Sequence, residues 1–206
     1  MFKSRRLLAL PVAAVIGLAF APGAAHASLL AVDPDSCAEQ PLGQVFLPFA
    51  DIAHYTPAPG GDAESADALD LTGGATLVDG NEPWQVGGAA DSTSVRLPAG
   101  SSVTTGALCV GLGHPTMRFF AKSQGTGLLS MLKVEVLFQG VLGLNRLPIG
   151  VALPSSSWTP TLPMTVVANL LPLLPPNSTP VAFRLTPVGS GTWTVDDIYV
   201  DPYKGR

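Results

Sequence analysis

The chain is poor in charge and in the side chains from which redox and transition-metal sites are built: 13% of its 206 residues are charged, and it has three histidines and two cysteines. His54 and His114 are the only histidines beyond the N-terminal leader and stand far apart, so no transition-metal site of ordinary ligand spacing is expected. There is no Gly-x-Ser-x-Gly elbow, no His-Glu-x-x-His pair, no Cys-x-x-Cys and no phosphate loop. Gly125-Thr126-Gly127 starts a Gly-x-Gly pattern but leads into a strand-like run rather than a helix, which excludes dinucleotide binding. Basic residues are scarce as well. The eight Lys and Arg beyond the leader are scattered singly from Arg96 onward, so no surface is basic enough for nucleic acid.

Long apolar runs are equally scarce. The one that stands out, Leu7 to Ala21, follows Lys3, Arg5 and Arg6 and precedes Ala25-His26-Ala27. That order is a secretory signal peptide cleaved before Ser28, and Pro11 and Pro22 break the run short of a membrane span. Residues 1–27 are therefore set aside as the signal peptide, and residues 28–206 are read as one exported domain with no transmembrane span. Without the three leader cations the formal net charge moves from −4 to −7. Of the 15 acidic residues, 11 lie between Asp33 and Asp91, which suits cation binding or plain solubility.

Cys37 and Cys109 both lie in the exported part, where oxidising conditions favour a disulfide between them. Closing so long a loop contributes roughly 4 kcal/mol in the chain-entropy model. The secreted protein should weigh two hydrogens less than its reduced form, and alkylation without reduction should label neither cysteine. Quantitative labelling of both would sink the pairing.

What the chain has in abundance is turn chemistry: 20 prolines and 22 glycines, spaced between short β-rich runs, the pattern of an all-β sandwich. Strands are expected near Ala68–Leu71, Ala75–Val78, Gln85–Val86, Ser94–Leu97, Ser102–Thr104, Leu108–Gly111, Met117–Lys122, Leu129–Phe138, Leu144–Ile149, Trp158–Thr161, Val181–Thr186 and Thr192–Val200. Two hairpins stand out: Leu129–Phe138 with Leu144–Ile149 across a Gly140 turn, and Val181–Thr186 with Thr192–Val200 across Gly189-Ser190-Gly191. Thr165–Leu174 allows one or two helical turns between prolines, and Gln44–Tyr55, carrying Pro48, reads as an edge segment that packs its aromatics on the body.

The last run, Thr192 to Pro202, carries two adjacent carboxylates inside an apolar strand. Strict alternation would place Trp193 and Val195 on one face and Ile198 and Val200 on the other. A β-bulge at Asp196–Asp197 restores a single core face and re-aims one carboxylate. In the same way Asp62 and Glu64 share a side after the Gly60-Gly61 turn.

Gly60-Gly61-Asp62-Ala63-Glu64 and Trp193-Thr194-Val195-Asp196-Asp197-Ile198-Tyr199-Val200 resemble the two ends of carbohydrate-binding-module-like, galactose-binding-domain-like jelly rolls, with Ala63 where an aromatic usually stands. The whole mature chain also resembles an uncharacterised secreted family of high-GC Gram-positive bacteria that brings no known activity. The first likeness implies a single jelly-roll β-sandwich and a structural calcium between the two ends. Hard oxygens suit calcium, so Glu64, Asp196 and Asp62 are the expected ligands, with backbone carbonyls of the Pro59–Gly61 turn.

The expected function is non-catalytic binding of an extracellular polysaccharide or glycoconjugate. Trp84, in the Asn81-Glu82-Pro83-Trp84 turn, is the exposed stacking candidate, whereas the bulged register turns Trp193 inward. Arg118 and Arg184 run out of phase with the core residues beside them and are expected either to bind a glycan or acidic ligand or to form salt bridges with the acidic half of the chain. The alternative is a structural or interaction component of the cell envelope or matrix, with an envelope protein as partner. Third comes a glycan hydrolase using a pair drawn from Glu64, Glu82, Glu135 and Asp196.

Overall fold

The computed structural model describes residues 40–111, 115–125, 127, 129–140, 143–166 and 178–202. The expected signal peptide, Cys37, His114, most of the expected Thr165–Leu174 helix and the turn between the Leu129 and Leu144 runs lie outside them. Cys109 is buried in its strand and is not a free thiol.

Thirteen strands are present among the described residues: β1 Thr56–Pro57, β2 Asp70–Thr72, β3 Thr76–Asp79, β4 Thr93–Pro98, β5 Ser102–Thr104, β6 Leu108–Gly111, β7 Thr116–Gln124, β8 Met131–Gly140, β9 Gly143–Ala152, β10 Thr159–Pro160, β11 Met164–Thr165, β12 Ser178–Val188 and β13 Thr192–Asp201. They form two antiparallel sheets. Sheet I runs β10-β7-β13-β4-β3, with β1 also on β13 and β11 also on β7; sheet II runs β2-β5-β12-β8-β9, with β6 also on β12. The inner faces meet in one core of Val95, Leu97, Met117, Phe119, Trp193, Val195, Ile198 and Val200 against Val103, Leu132, Val134, Val136, Val181, Phe183 and Leu185, among others. This is the all-β sandwich that the turn spacing implied, of the jelly-roll type that the family resemblance implied. Among the described residues no helix is long and apolar enough to cross a membrane.

Ten of the twelve expected strands appear within a few residues of their expected bounds, and a two-residue bridge, β10, stands in the Trp158–Thr161 run. Gln85–Val86 is not a strand: Gln85 sits in the left-handed region at φ 52°, which makes it a turn. The β8–β9 hairpin pairs in register from Gly140↔Gly143 onward. The second expected hairpin does not form, because β12 belongs to sheet II and β13 to sheet I. Each strand sends its larger apolar face into the main core from its own sheet, and the chain crosses between the sheets at Gly189 and Gly191, whose φ values of 85° and 99° make the corner. Thr165 is strand rather than helix start, paired with Thr116.

The bulge is where it was expected. Asp196 opposes Phe120 and Tyr199 opposes Arg118, so β13 spends one extra residue between them. Asp197 takes up that residue at φ 49°. Trp193, Val195, Ile198 and Val200 consequently all enter the same core. β13 also changes neighbour here: β4 pairs with Thr192 to Val195, and β1 pairs with Tyr199 and Val200. In the gap, Ile198 hydrogen-bonds the 58–61 turn instead, donating to the Gly61 carbonyl at 2.9 Å and accepting from the Ala58 amide at 2.8 Å. A Cβ on Gly61 would come within 2.5 Å of the Ile198 carbonyl, so only glycine permits this approach.

On the outer face of sheet I a second, smaller core forms. Phe46, Tyr55, Phe120 and Tyr199 are buried there, flanked by Phe49, Val86 and Trp158. The Gln44–Tyr55 segment does lie across the body, carrying a 3-10 turn at Leu47–Phe49 with Pro48 inside it.

Candidate functional site

Two features adjoin at the bulge: a group of carboxylates and an exposed tryptophan. The group comprises Glu82, Asp91, Asp196 and Asp197, of which Glu82, Asp196 and Asp197 are each 1% exposed. They divide cleanly by their hydrogen bonds. Asp196 accepts the Asp197 amide on Oδ1 at 2.9 Å and the Glu82 amide on Oδ2 at 3.1 Å. Glu82 accepts the Trp84 amide on Oε2 at 2.5 Å and the Val86 amide on Oε1 at 2.6 Å. In contrast, both oxygens of Asp197 and Oδ2 of Asp91 are buried without a hydrogen-bond partner.

Those orphaned oxygens converge on Gly87. A Cβ there would collide with Asp91 Oδ2 and lie 2.6 Å from Asp197 Oδ1, so the glycine leaves a recess that the two carboxylates face. Burial and the charges of Asp196, Glu82 and Asp91 push the Asp197 carboxyl well above the usual range. Burial, with the charges of Glu82 and Asp91, raises Asp196 to about 8 despite its two amide donors. Asp91 is raised by burial and by the charges of Glu64, Asp62 and Glu82. Like charges held this close, two of them unsatisfied, are what a cation would relieve. No three Asp, Glu, His or Cys side chains among the described residues form a complete metal cage, so backbone carbonyls or water would have to fill the rest of a shell.

The residues expected as ligands are placed differently. Glu64 is exposed, and its carboxylate is taken up by the start of β4: Oε1 accepts the Ser92 and Thr93 amides at 2.8 and 2.7 Å, and Oε2 the Ser92 hydroxyl at 3.1 Å. Burial pulls its pKa up, but these donors outweigh it and hold the carboxyl below its ordinary value. Asp196 spends both oxygens on amides, and Asp62 is exposed, near enough for its charge to act on Asp91. The free carboxylates are those of Asp91 and Asp197. The sequence signal for Asp91 is an acidic residue closely following Gly87-Gly88 and leading directly into β4.

Trp84 is 45% exposed, as its turn implied. One side of the indole lies against Phe120, with centroids 5.3 Å apart and the planes 31° from parallel, and Phe49 braces it edge-on at 5.1 Å. Trp193, by contrast, is fully buried.

The two arginines are not a pair. Arg118 lies on the outer face of sheet I, as its phase required, but beneath the 44–55 segment. Its Nη1 donates to Asp51 Oδ2 at 2.7 Å, its Nε to the Thr161 carbonyl at 2.8 Å, and its guanidinium sits 4.4 Å over the Phe46 ring. It pins that segment down, and 5% exposure leaves it nothing to offer a ligand. Arg184 projects from β12 on sheet II, donating to Ser102 Oγ at 2.9 Å, with Thr104 and Glu135 opposite it. Glu135 accepts from Lys133 at 3.0 Å on that same sheet, whereas Glu82 and Asp196 belong to the bulge on sheet I.

No protein-family model matches the chain, and no curated protein sequence does. Solved structures match in fold. The Clostridium thermocellum xylanase Xyn10B structure holding the CBM22-1 and GH10 modules, complexed with xylohexaose, aligns at TM-score 0.50 and 13% identity over 72% of this chain and 28% of that one. This chain thus spans little more than a quarter of that structure. The CBM22-1 xylan-binding domain of Paenibacillus barcinonensis Xyn10C aligns at TM-score 0.45 and 10% identity, covering 73% and 94% of the two chains. TmCBM61 in complex with β-1,4-galactotriose aligns at 0.40 and 13% identity, covering 69% and 93%. The likeness is one of fold, a jelly-roll sandwich like that of carbohydrate-binding modules.

Proposed function

We propose that the chain is an exported, non-catalytic glycan-binding module, processed before Ser28 and carrying a structural calcium ion. The observation that supports glycan binding is Trp84, an indole backed by Phe120, braced by Phe49 and open to solvent on the remaining side. A rigid exposed aromatic suits the apolar face of a pyranose and loses little entropy on binding. Arg184, with Ser102 and Thr104, offers a separate polar surface on sheet II for sugar hydroxyls.

The calcium reading is supported by the unpartnered Asp197 and Asp91 oxygens and the recess at Gly87. Those two residues would hold the ion, with Asp62 at its margin, and the ion would supply the positive charge that this buried group lacks.

A glycan array with the mature protein in calcium is the direct test. On a positive glycan, Trp84→Ala should weaken binding about 30-fold or more, the loss expected of a hot-spot aromatic. Undiminished binding by that variant would remove Trp84 from the site, and a blank array would count against the glycan reading as a whole. Leu42, Leu47 and Ile52, at 50%, 51% and 74% exposure, support a second reading in which this surface meets an envelope or matrix protein.

A further inference from the structure

The cation recess and the exposed tryptophan are joined by a short path of charge-assisted hydrogen bonds, and Glu82 is its middle link. Its amide is shared between Asn81 Oδ1 at 2.8 Å and Asp196 Oδ2 at the bulge at 3.1 Å, while its carboxylate takes the amides of Trp84 and Val86. Those two bonds span the turn that presents the indole, where Gln85 is held in the left-handed region. The turn has few other local ties: Pro83, Trp84 and Gln85 are all exposed. The backbone of the Trp84 turn is therefore tied down by one buried carboxylate, while Phe120 and Phe49 flank the ring.

That carboxylate is also under electrostatic pressure. Glu82 is fully buried beside Asp196 and Asp197, and Asp197 has no donor to spread its charge. With nothing positive in the recess, repulsion is relieved by Asp196 and Asp197 keeping their protons below about pH 8 and, once they ionise, by Glu82 leaving its seat, which frees the Trp84 and Val86 amides. With a cation between Asp197 and Asp91, the seated arrangement is favoured. The turn then has two states, and the cation interacts better with one of them, which is the requirement for coupling.

We propose that Glu82 is a positioning residue that couples cation occupancy of the Asp91–Asp197 recess to the order of the Trp84 turn, so that the ligand-binding aromatic is set in place only when the ion is bound. The coupling rests on the calcium and Trp84 readings above, but it can be measured with no sugar present. All three tryptophans, Trp84, Trp158 and Trp193, can be labelled as 5-fluorotryptophan in the mature protein, and Trp84→Phe assigns the Trp84 resonance. Calcium added to chelated protein should shift and narrow the Trp84 resonance, leave that of buried Trp193 in place, and saturate together with the rise in melting temperature. Glu82→Gln keeps the carboxylates of Asp91 and Asp197 but presents one acceptor oxygen where two amides need one each. In that variant calcium should still raise the melting temperature while the Trp84 resonance no longer responds.

A Trp84 resonance that ignores saturating calcium in the parent protein, or that responds equally in Glu82→Gln, overturns the coupling while leaving the ion in place. The absence of any calcium effect on melting overturns the ion and the coupling together, and a blank glycan array touches neither. If Glu82→Gln does not fold, amide exchange in the parent decides. The Trp84 and Val86 amides should exchange roughly tenfold faster or more in chelator than in calcium, the loss of a charge-assisted hydrogen bond. Equal exchange in the two conditions overturns the proposal.

Discussion

Stripped of divalent cations, the protein from Ser28 onward will melt progressively lower as the pH is raised from about 5 to about 8, and calcium will flatten or reverse that trend. The direction follows from the buried carboxyls at the bulge. Asp196 is raised to about 8 and Asp197 is raised by burial and by its neighbour's charge, against an ordinary value of 3.8 in the unfolded chain. Below that ordinary value both states hold the proton, and the associated stability is fully present. Between the two values the unfolded chain releases its proton while the folded one retains it, so each step up in pH favours unfolding until the folded group also ionises. At about 1.4 kcal/mol per pKa unit, and with the two groups sharing one field, the loss across this window is on the order of several kcal/mol. Glu64 and Asp51 are shifted the other way, so their contributions fade only under more acid conditions, below the window. A calcium ion favours the ionised carboxylates, so its stabilisation should grow with pH. Asp197→Asn should remove its own share of the slope, leaving that of Asp196, and most of the calcium response. A flat melting profile in chelator would show that these carboxyls are not held as the buried geometry implies.

The second large effect concerns Trp193. It is fully buried between Leu97 of β4 and Ser123 of β7, at the centre of the sandwich. Trp193→Ala should cost ~3–5 kcal/mol, since the flanking strands, paired on both sides of β13, cannot collapse into so large a void. The indole also carries an unusual burden: its Nε1 is buried with no partner. Leaving a donor unsatisfied costs ~1–3 kcal/mol, so Trp193→Phe, which removes that donor along with part of the ring, should be far milder than truncation. Trp84→Ala, at a half-exposed position, should cost less than about 1.5 kcal/mol. Denaturant melts of the three variants rank them. If Trp84→Ala proves the most damaging, the assigned facing of the two tryptophans is inverted.

The bulge shows what could be read from residues in order. Its location followed from a parity argument, because Val195 and Ile198 could share a core only with one extra residue between them. The orientation of the carboxylates could not follow, since it depends on which amides reach them from residues distant in sequence. Asp196 is satisfied by the Glu82 amide, 114 positions away, and Glu64 by Ser92 and Thr93, 28 and 29 positions away. Local pattern placed the acids on the right segments and left open which of them were free. The same limit explains Arg118. Alternation correctly turned it out of the main core, but nothing local announced that Asp51 and Phe46 would fold over it. The false β12–β13 hairpin has a related cause: a glycine turn between two amphipathic strands is compatible with edge pairing and with a corner between sheets, and only the count of strands competing for each edge separates them.

Because β13 ends the described chain and yet lies inside sheet I, between β7 on one side and β4 and β1 on the other, the order of assembly is constrained. Until Thr192 to Asp201 is available, β7 and β4 have no shared partner, the inner face of sheet I lacks its tryptophan, and β1 has no strand to join. The partners brought together span residues 56 to 201, so the closing contacts are among the most distant in sequence, a topology associated with slow folding. A chain in which β13 is still held back, with the rest of the described strands free, is therefore a chain unable to complete sheet I.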